Sequence, residues 1–133
     1  MQRTRDTELI QRVYAAFGKG DIATILAAFA ADGAISFEGA SARVPWHRPC
    51  RGHAEIPAFF AAVAESVDIE KFEPVSFVST DGAVAVQLEI RYRVRRTGKQ
   101  VEQRQVHWWT MKDGKIANLQ HFEDTRQVDD ACR

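Results

Sequence analysis

Residues 84–94 read VAVQLEIRYRV. Apolar side chains alternate with mostly polar ones, and a repeat of two residues places alternate side chains on opposite faces of a β-strand. The stretch therefore predicts a strand with one buried face, formed by every second residue from Val84 to Val94. The opposite, polar face would carry Glu89, Arg91 and Arg93.

Pairs of turn-forming residues border this strand and its neighbours: Asp81-Gly82, Thr97-Gly98 and Asp113-Gly114. Such pairs favour tight turns between antiparallel strands. The segments between them have the length of ordinary sheet strands. The second half of the chain therefore predicts an antiparallel meander.

Three segments in the first half repeat their apolar residues at helical spacing. The first carries Ile10, Val13, Tyr14 and Phe17 and ends at Gly18 and Gly20. The second begins after Asp21, which suits a helix N-cap, and carries Ile22, Ile25, Leu26 and Phe29. The third follows Gly52, has Pro57 in its opening turn and carries Ile56, Phe59, Phe60, Val63 and Val67.

These elements predict an α+β fold in which three helices pack on the concave face of a curved antiparallel sheet. A short strand over 34–37 lies between the second and third helices, and residues 39–51 have no period and form a loop. The domain would span 1–125, followed by a polar, loose tail over 126–133. If the sheet curls around the helices, a cavity remains at its open end.

The charges of this 133-residue chain balance, with 18 Lys and Arg against 18 Asp and Glu. Nucleic-acid-binding chains usually carry a clear basic excess, so we expect no nucleic-acid partner. Arg91, Arg93 and Arg95 form a basic row on one face of the strand. We interpret this row either as a solvated surface or as a subunit interface.

The N-terminus lacks a signal segment and the longest apolar run, 56–64, is too short to cross a bilayer. We therefore expect no membrane contact and a cytoplasmic location.

His47 and His53 flank Cys50, which raises the question of a metal site. The chain has no paired-histidine or paired-cysteine motif with metal-ligand spacing. Cys50 and Cys132 are interpreted as reduced thiols, and the sequence leaves their roles open. We expect neither a metal nor any other cofactor.

Three groups of short motifs carry a resemblance to a known family: Gly20-Asp21 with Phe29-Ala30-Ala31-Asp32, then Gly52-His53-Ala54-Glu55-Ile56, then Gln105-Val106-His107 with Asp113-Gly114-Lys115-Ile116. With the order of the elements, they resemble the nuclear transport factor 2-like superfamily over about residues 6–125. The resemblance implies a cone-shaped α+β barrel with a small-molecule pocket. It also implies a homodimer formed through the outer face of the sheet.

Within that superfamily the chain resembles the SnoaL-like polyketide cyclases and the related ketosteroid isomerases. The three acid/base positions of the ketosteroid isomerases fall at Val13, Phe37 and His107, so none of those groups is present. Gln105 and His107 match two pocket residues of the SnoaL-like cyclases. His121 stands where those cyclases have an acid/base aspartate. The resemblance therefore implies His107 and His121 as catalytic residues.

Histidine exchanges protons near neutral pH, and acid/base chemistry next to an enolisable carbonyl is common in this superfamily. On this interpretation His121 transfers the proton, while His107 and Gln105 hold a carbonyl or hydroxyl group. The alternative is that both histidines are hydrogen-bonded residues of a cavity wall. They would lie in neighbouring strands, not necessarily opposite each other.

We expect the ligand to be bound by one polar and several aromatic side chains: Gln105, Trp109, Tyr14, Phe37, Trp46, Tyr92 and Phe59. For the aromatic residues the alternative is core packing, for Tyr14 a structural hydrogen bond, and for Trp46 packing on the surface. Glu38 becomes a candidate base only if its strand bulges, and is otherwise solvated.

Three functions fit this pattern. The first is a cofactor-free acid/base isomerase, cyclase or lyase acting on a small cyclic or polyketide-like compound. The second is non-catalytic binding of a small hydrophobic or cyclic ligand in the same pocket, and the third is a dimeric association module. Fold alone does not choose among them.

Overall fold

A computed structural model describes all 133 residues as four helices and six strands. The helices are α1 (Gln2–Gly18), α2 (Ile22–Ala28), α3 (Ile56–Ser66) and α4 (Thr125–Ala131). The strands are β1 (Phe29–Phe37), β2 (Cys50–Arg51), β3 (Val67–Thr80), β4 (Ala83–Val94), β5 (Gln100–Lys112) and β6 (Lys115–Phe122).

The six strands form one curved, unclosed sheet in the order β2-β1-β6-β5-β4-β3. The predicted α+β class is confirmed, and β3 to β6 form the predicted antiparallel meander. The sheet as a whole is mixed, because β1 runs parallel to β6. β1 and β6 are far apart in the chain, so no hairpin turn fixes their relative direction.

Strand β4 has the two faces that its sequence predicts. Its buried face includes Val84, Val86 and Leu88, each fully buried, and burying an aliphatic side chain of this size contributes about 1.5–3 kcal/mol. The turn into β6 has positive φ at both central residues, 52° at Asp113 and 76° at Gly114. Such backbone angles match the twist of a two-residue hairpin, as the Asp-Gly pair predicts.

The helices cover the concave face of the sheet through their apolar stripes. Ile10 of α1, Ile25 of α2 and Ile56 of α3 are completely or almost completely buried in the common core. Asp21 caps α2 as expected, since its carboxylate accepts a hydrogen bond from the backbone N–H of Thr24 at 3.1 Å.

The ends of two helices and the assignments of two strands differ from the predictions. Phe29 begins β1 and Val67 begins β3, because each ends its helix with extended backbone angles. β1 is also longer than the predicted strand over 34–37, and an irregularity interrupts its pairing with β6. The predicted loop over 39–51 contains the two-residue strand β2, which pairs with β1.

The C-terminal residues form helix α4 instead of the loose tail that we predicted. The Asp124 carboxylate accepts a hydrogen bond from the backbone N–H of Gln127 and caps the helix. Val128 and Cys132 are buried in the main core, and the Thr97 hydroxyl donates to the Ala131 carbonyl at 2.6 Å. This helix therefore packs against the end of the sheet near the β4–β5 turn.

The outer face of the sheet carries the arginine row, whose members are paired within the chain. Arg91 lies 3.4 Å from Glu70 and 3.2 Å from Glu102, and Arg95 lies 2.9 Å from Asp68. Exposed ion pairs of this kind contribute little to stability. No helix is both long enough and apolar enough to cross a membrane.

Candidate active site

A cavity of about 100 Å³ lies between the helices and the concave face of the sheet. It is lined by 19 residues, of which 15 are hydrophobic. The four others are Gln105, His107, His121 and Glu123. An apolar cavity with a few polar groups on one side is the usual form of a small-molecule site.

The cavity continues into a groove between α1, α3 and β3. Tyr14, Phe17, Phe60 and Phe72 line both spaces. Phe17 and Phe72 pack with ring centroids 4.8 Å apart. These aromatic rings therefore form the shared wall between the cavity and the groove.

His107 is held by a hydrogen-bonded chain that starts at a tryptophan. The Trp109 indole N–H donates to the Tyr14 hydroxyl oxygen at 3.0 Å, and that hydroxyl lies 2.7 Å from His107 Nδ1. Since the Tyr14 oxygen accepts from Trp109, its own proton is free to donate to Nδ1. We therefore assign the His107 proton to Nε2.

His121 is held in the opposite tautomer. Its Nδ1 lies 3.2 Å from the backbone carbonyl oxygen of Ser36, which can only accept a hydrogen bond. Nδ1 must therefore carry the proton, and Nε2 keeps its lone pair. The parallel pairing of β1 with β6 brings this carbonyl beside the histidine, since Phe37 is opposite His121 in the register.

The two histidines lie directly opposite each other in β5 and β6, with ring centroids 4.7 Å apart. Neither Nε2 atom has a hydrogen-bond partner in the protein, and both residues line the cavity. Burial lowers the pKa of His121 to about 4, and burial together with the nearby His121 lowers the pKa of His107 well below its ordinary value. At neutral pH the cavity thus presents a neutral N–H donor next to a neutral nitrogen acceptor.

Glu123 supplies a buried carboxylate that the sequence analysis did not assign to the site. Its side chain is 5% exposed. Oε1 lies 2.7 Å from His47 Nε2, and Oε2 accepts from the Gln105 amide at 3.3 Å. His47 Nδ1 accepts the backbone N–H of Ser41, so its proton is on Nε2 and points at Glu123.

The orientation of the Gln105 amide is fixed by its neighbours. The backbone N–H of Asp124 donates to Gln103 Oε1, which identifies that atom as the oxygen. Gln105 Nε2 donates to the same oxygen and to Glu123. Both Glu123 oxygens therefore accept N–H donors, which is the environment of an ionised carboxylate.

Glu123 carries the one carboxyl group that lines the cavity, next to His107 and His121. Its charge raises the pKa of His121, although burial lowers that pKa by more. A proton that arrives on His121 would consequently be stabilised by Glu123.

The structure brings the predicted ligand-binding residues around this cavity. Those that line it are Gln105, Trp109, Tyr14, Trp46, Tyr92 and Phe59. Phe37 lies behind the lining and stacks on His121, with ring centroids 4.7 Å apart. Trp46 is buried and not at the surface, and Tyr14 makes the structural hydrogen bond that was its alternative. Glu38 lies on the outer side and accepts from Gln120.

Glu123 could have been found from strand parity, because it is two residues beyond His121 and so shares its face. His47 had no such signal, since it lies in a loop without periodicity. Its position depends on the contact of that loop with the end of β6, which only the folded structure provides.

A curved sheet with helices packed on its concave face and an apolar cavity between them defines a cone-shaped α+β protein. The chain belongs to the SnoaL-like domain family, which matches residues 10–119. The predicted resemblance to nuclear transport factor 2-like proteins is thereby confirmed.

The chain is similar to the uncharacterised protein Rv0034 of Mycobacterium tuberculosis, with 31% identity over 117 residues, or 88% of this chain and 87% of that one. Among solved structures, an NTF2-like protein from Burkholderia xenovorans superposes with a TM-score of 0.89 at 27% identity, covering 98% of both chains. TerC, co-crystallised with polyporic acid, superposes with a TM-score of 0.85 at 26% identity, covering 96% of this chain and 98% of TerC.

Proposed function

We propose that the protein is a cofactor-free acid/base catalyst of the isomerase, cyclase or lyase type, acting on a small cyclic carbonyl compound. The observation that carries this proposal is the pair of neutral imidazoles at the cavity, one with a free N–H and the other with a free lone pair. A donor next to an acceptor is the arrangement that enolisation of a carbonyl requires.

In the proposed reaction His121 Nε2 accepts a proton from the carbon next to the substrate carbonyl. The electrons of the broken C–H bond form a carbon–carbon double bond, and the carbonyl oxygen becomes an enolate oxygen. His107 Nε2–H donates a hydrogen bond to that oxygen as its charge develops. Return of the proton to a different carbon gives an isomer. Attack of the enolate carbon on a second carbonyl carbon instead closes a ring and turns that C=O into an alkoxide, which takes the proton back from His121.

Three groups that do not exchange protons with the substrate assist the proton transfer to His121. The Ser36 carbonyl holds the His121 ring so that Nε2 faces the cavity. The Glu123 charge stabilises the imidazolium that forms when His121 takes the proton. Tyr14 is a positioning residue, because its hydrogen bond keeps the His107 proton on Nε2.

The comparisons support a ring-shaped ligand. TerC is related to this chain at 26% identity and was co-crystallised with polyporic acid. Aromatic side chains line both the cavity and the adjoining groove here, and flat aromatic rings pack well against such walls.

The test is deuterium exchange into 1-tetralone, a cyclic ketone, followed by proton NMR in D₂O. We expect the wild type to accelerate loss of the protons next to the carbonyl, and His121→Gln to lose about a hundredfold or more of that rate. His53→Gln is the matched control, since His53 bonds the Phe29 carbonyl and does not line the cavity. Equal rates for the wild type and His121→Gln, or no acceleration by the wild type, would contradict the proposal.

Non-catalytic binding is the second candidate, and the low basicity of His121 is the observation that favours it. The same experiment separates the two functions. A ketone that binds the wild type but exchanges no faster than in buffer would assign the cavity to binding alone.

A further inference from the structure

The Glu123 carboxylate is held in one orientation by two neighbouring side chains. His47 Nε2 lies 2.7 Å from Oε1, and the Gln105 amide donates to Oε2 at 3.3 Å. Glu123 lines the cavity, and 5% of its side-chain surface is accessible. A carboxylate has about four lone-pair sites, so roughly two remain for a further donor.

No cationic side chain of the protein pairs with this carboxylate. His47 is the one basic residue within ion-pair distance, and its Nδ1 accepts the backbone N–H of Ser41 at 3.1 Å. An imidazole that accepts at Nδ1 and donates at Nε2 is neutral, so it does not cancel the charge of Glu123. Neither a lysine nor an arginine lines the cavity. A buried carboxylate without a cation keeps a large cost of lost hydration.

A ligand that carries a positive charge would lower this cost. An ammonium group supplies the charge and also N–H donors for the free lone pairs of Glu123. A neutral hydroxyl group could donate to the same oxygens, but it would leave the charge unpaired. We propose that the cavity binds an organic ammonium ion, a protonated amine on an apolar ring, with its N–H groups directed at Glu123.

The surroundings of Glu123 suit both parts of such an ion. Trp46 lines the cavity and packs against the ring of His47, with centroids 6.0 Å apart. An indole ring therefore lies next to the His47–Glu123 pair, and tryptophan attracts organic cations more strongly than other aromatic residues do. The apolar ring of the ligand would pack in the rest of the cavity, where 15 of the 19 lining residues are hydrophobic.

Ammonium binding goes beyond the proposed function and opposes it. His121 is two residues before Glu123, which is about 6.6 Å along a strand. A cation bound to Glu123 would offset the charge that stabilises the His121 imidazolium. It would also occupy space that a cyclic ketone needs. The ammonium ion is therefore an inhibitor of the proposed reaction and not its substrate.

The experiment compares benzylammonium with benzyl alcohol, which has the same ring but no charge, by isothermal titration calorimetry at neutral pH. We expect the wild type to bind benzylammonium about tenfold more tightly, as for a hydrogen bond to a charged group. Glu123→Gln keeps the size of the side chain and removes its charge, so it should bind the two compounds equally. Glu38→Gln is the matched control and should keep the preference, because Glu38 bonds Gln120 and does not line the cavity.

Equal binding of the two compounds by the wild type, or no binding of either, would overturn the inference. A preference that Glu123→Gln retains, while its thermal unfolding shows an intact fold, would also overturn it. If Glu123→Gln does not fold, the carbon-13 signal of the Glu123 carboxyl group in the wild type decides. That signal should move when benzylammonium binds, and an unchanged signal would contradict the inference.

Deuterium exchange into 1-tetralone separates this inference from the proposed function. If both hold, benzylammonium should slow the exchange by the wild type, and an unchanged rate at saturation would place the ion outside the cavity. A preference for benzylammonium without any exchange would support the ammonium site and end the catalytic proposal. Exchange without a preference for benzylammonium would do the reverse.

Discussion

A neutral histidine can carry its proton on either ring nitrogen, and the neighbours of His107 and His121 select opposite nitrogens. A tyrosine hydroxyl faces Nδ1 of His107, and a backbone carbonyl faces Nδ1 of His121. Two residues of one type therefore acquire different chemistry from their surroundings. At the residue scale the site depends on hydrogen-bond partners more than on residue identity.

The two tyrosines of the cavity should respond differently to loss of their hydroxyls. Tyr14→Phe leaves His107 Nδ1 and Trp109 Nε1 without a partner, so we expect it to lower the free energy of unfolding by about 1–3 kcal/mol. Tyr92→Phe removes a hydroxyl that has no partner and should leave stability unchanged or raise it. Urea unfolding of both variants measures this, and equal losses would show that the two hydroxyls are equally well bonded.

Acid should destabilise the protein through His121. Its pKa of about 4 in the folded state lies below the ordinary value of 6.5, so the unfolded chain binds more protons between these values. Stability therefore falls as the pH drops from about 6.5 to about 4, by at most about 3 kcal/mol from this group. Denaturant unfolding across that range should show a smaller loss for His121→Gln than for the wild type. An identical loss would mean that His121 is not buried in its neutral form.

At the element scale, the strands and helices were predictable where one periodicity continued over several turns or residues. β4 alternates without interruption, and α1 carries its stripe from Ile10 to Phe17. α4 was missed because it has only seven residues, most of them polar, and its burial depends on a partner surface. The parallel pairing of β1 with β6 was also missed, because no local sequence pattern encodes the pairing of two strands that are distant in the chain.

The C-terminal helix should contribute measurably to stability. Val128 is fully buried against the core, so Val128→Ala removes two buried methyl groups and should cost about 2 kcal/mol. Arg126→Ala, on the exposed side of the same helix, is the matched control and should change stability little. Thermal unfolding of the two variants tests this. If Val128→Ala melts with the wild type, α4 does not pack as described.

At the scale of the whole molecule, the outer sheet face has an apolar centre between charged residues. Val106, Trp108 and Phe122 are 37%, 40% and 37% exposed, and Val106 is opposite Phe122 in the register. Arg91 and Arg104 on the same face are already paired within the chain. We propose that a second copy of the chain covers this centre, because symmetric dimers bury the same apolar surface on both subunits.

Analytical ultracentrifugation should therefore find a dimer for the wild type and a monomer for Trp108→Glu. Ile69→Glu is the control, since Ile69 is also an exposed apolar residue of the edge strand β3 but lines the cavity on the concave face. A monomeric wild type, or loss of the dimer in both variants, would contradict the assignment of this face.

The paired imidazoles are the central claim, and heteronuclear NMR of the histidine ring nitrogens tests them most directly. We predict that His107 and His121 stay neutral at pH 6, with the proton on Nε2 of His107 and on Nδ1 of His121. Addition of 1-tetralone should shift the signals of both Nε2 atoms. Titration of either ring near pH 6.5, the same tautomer in both, or no response to the ketone would contradict the account.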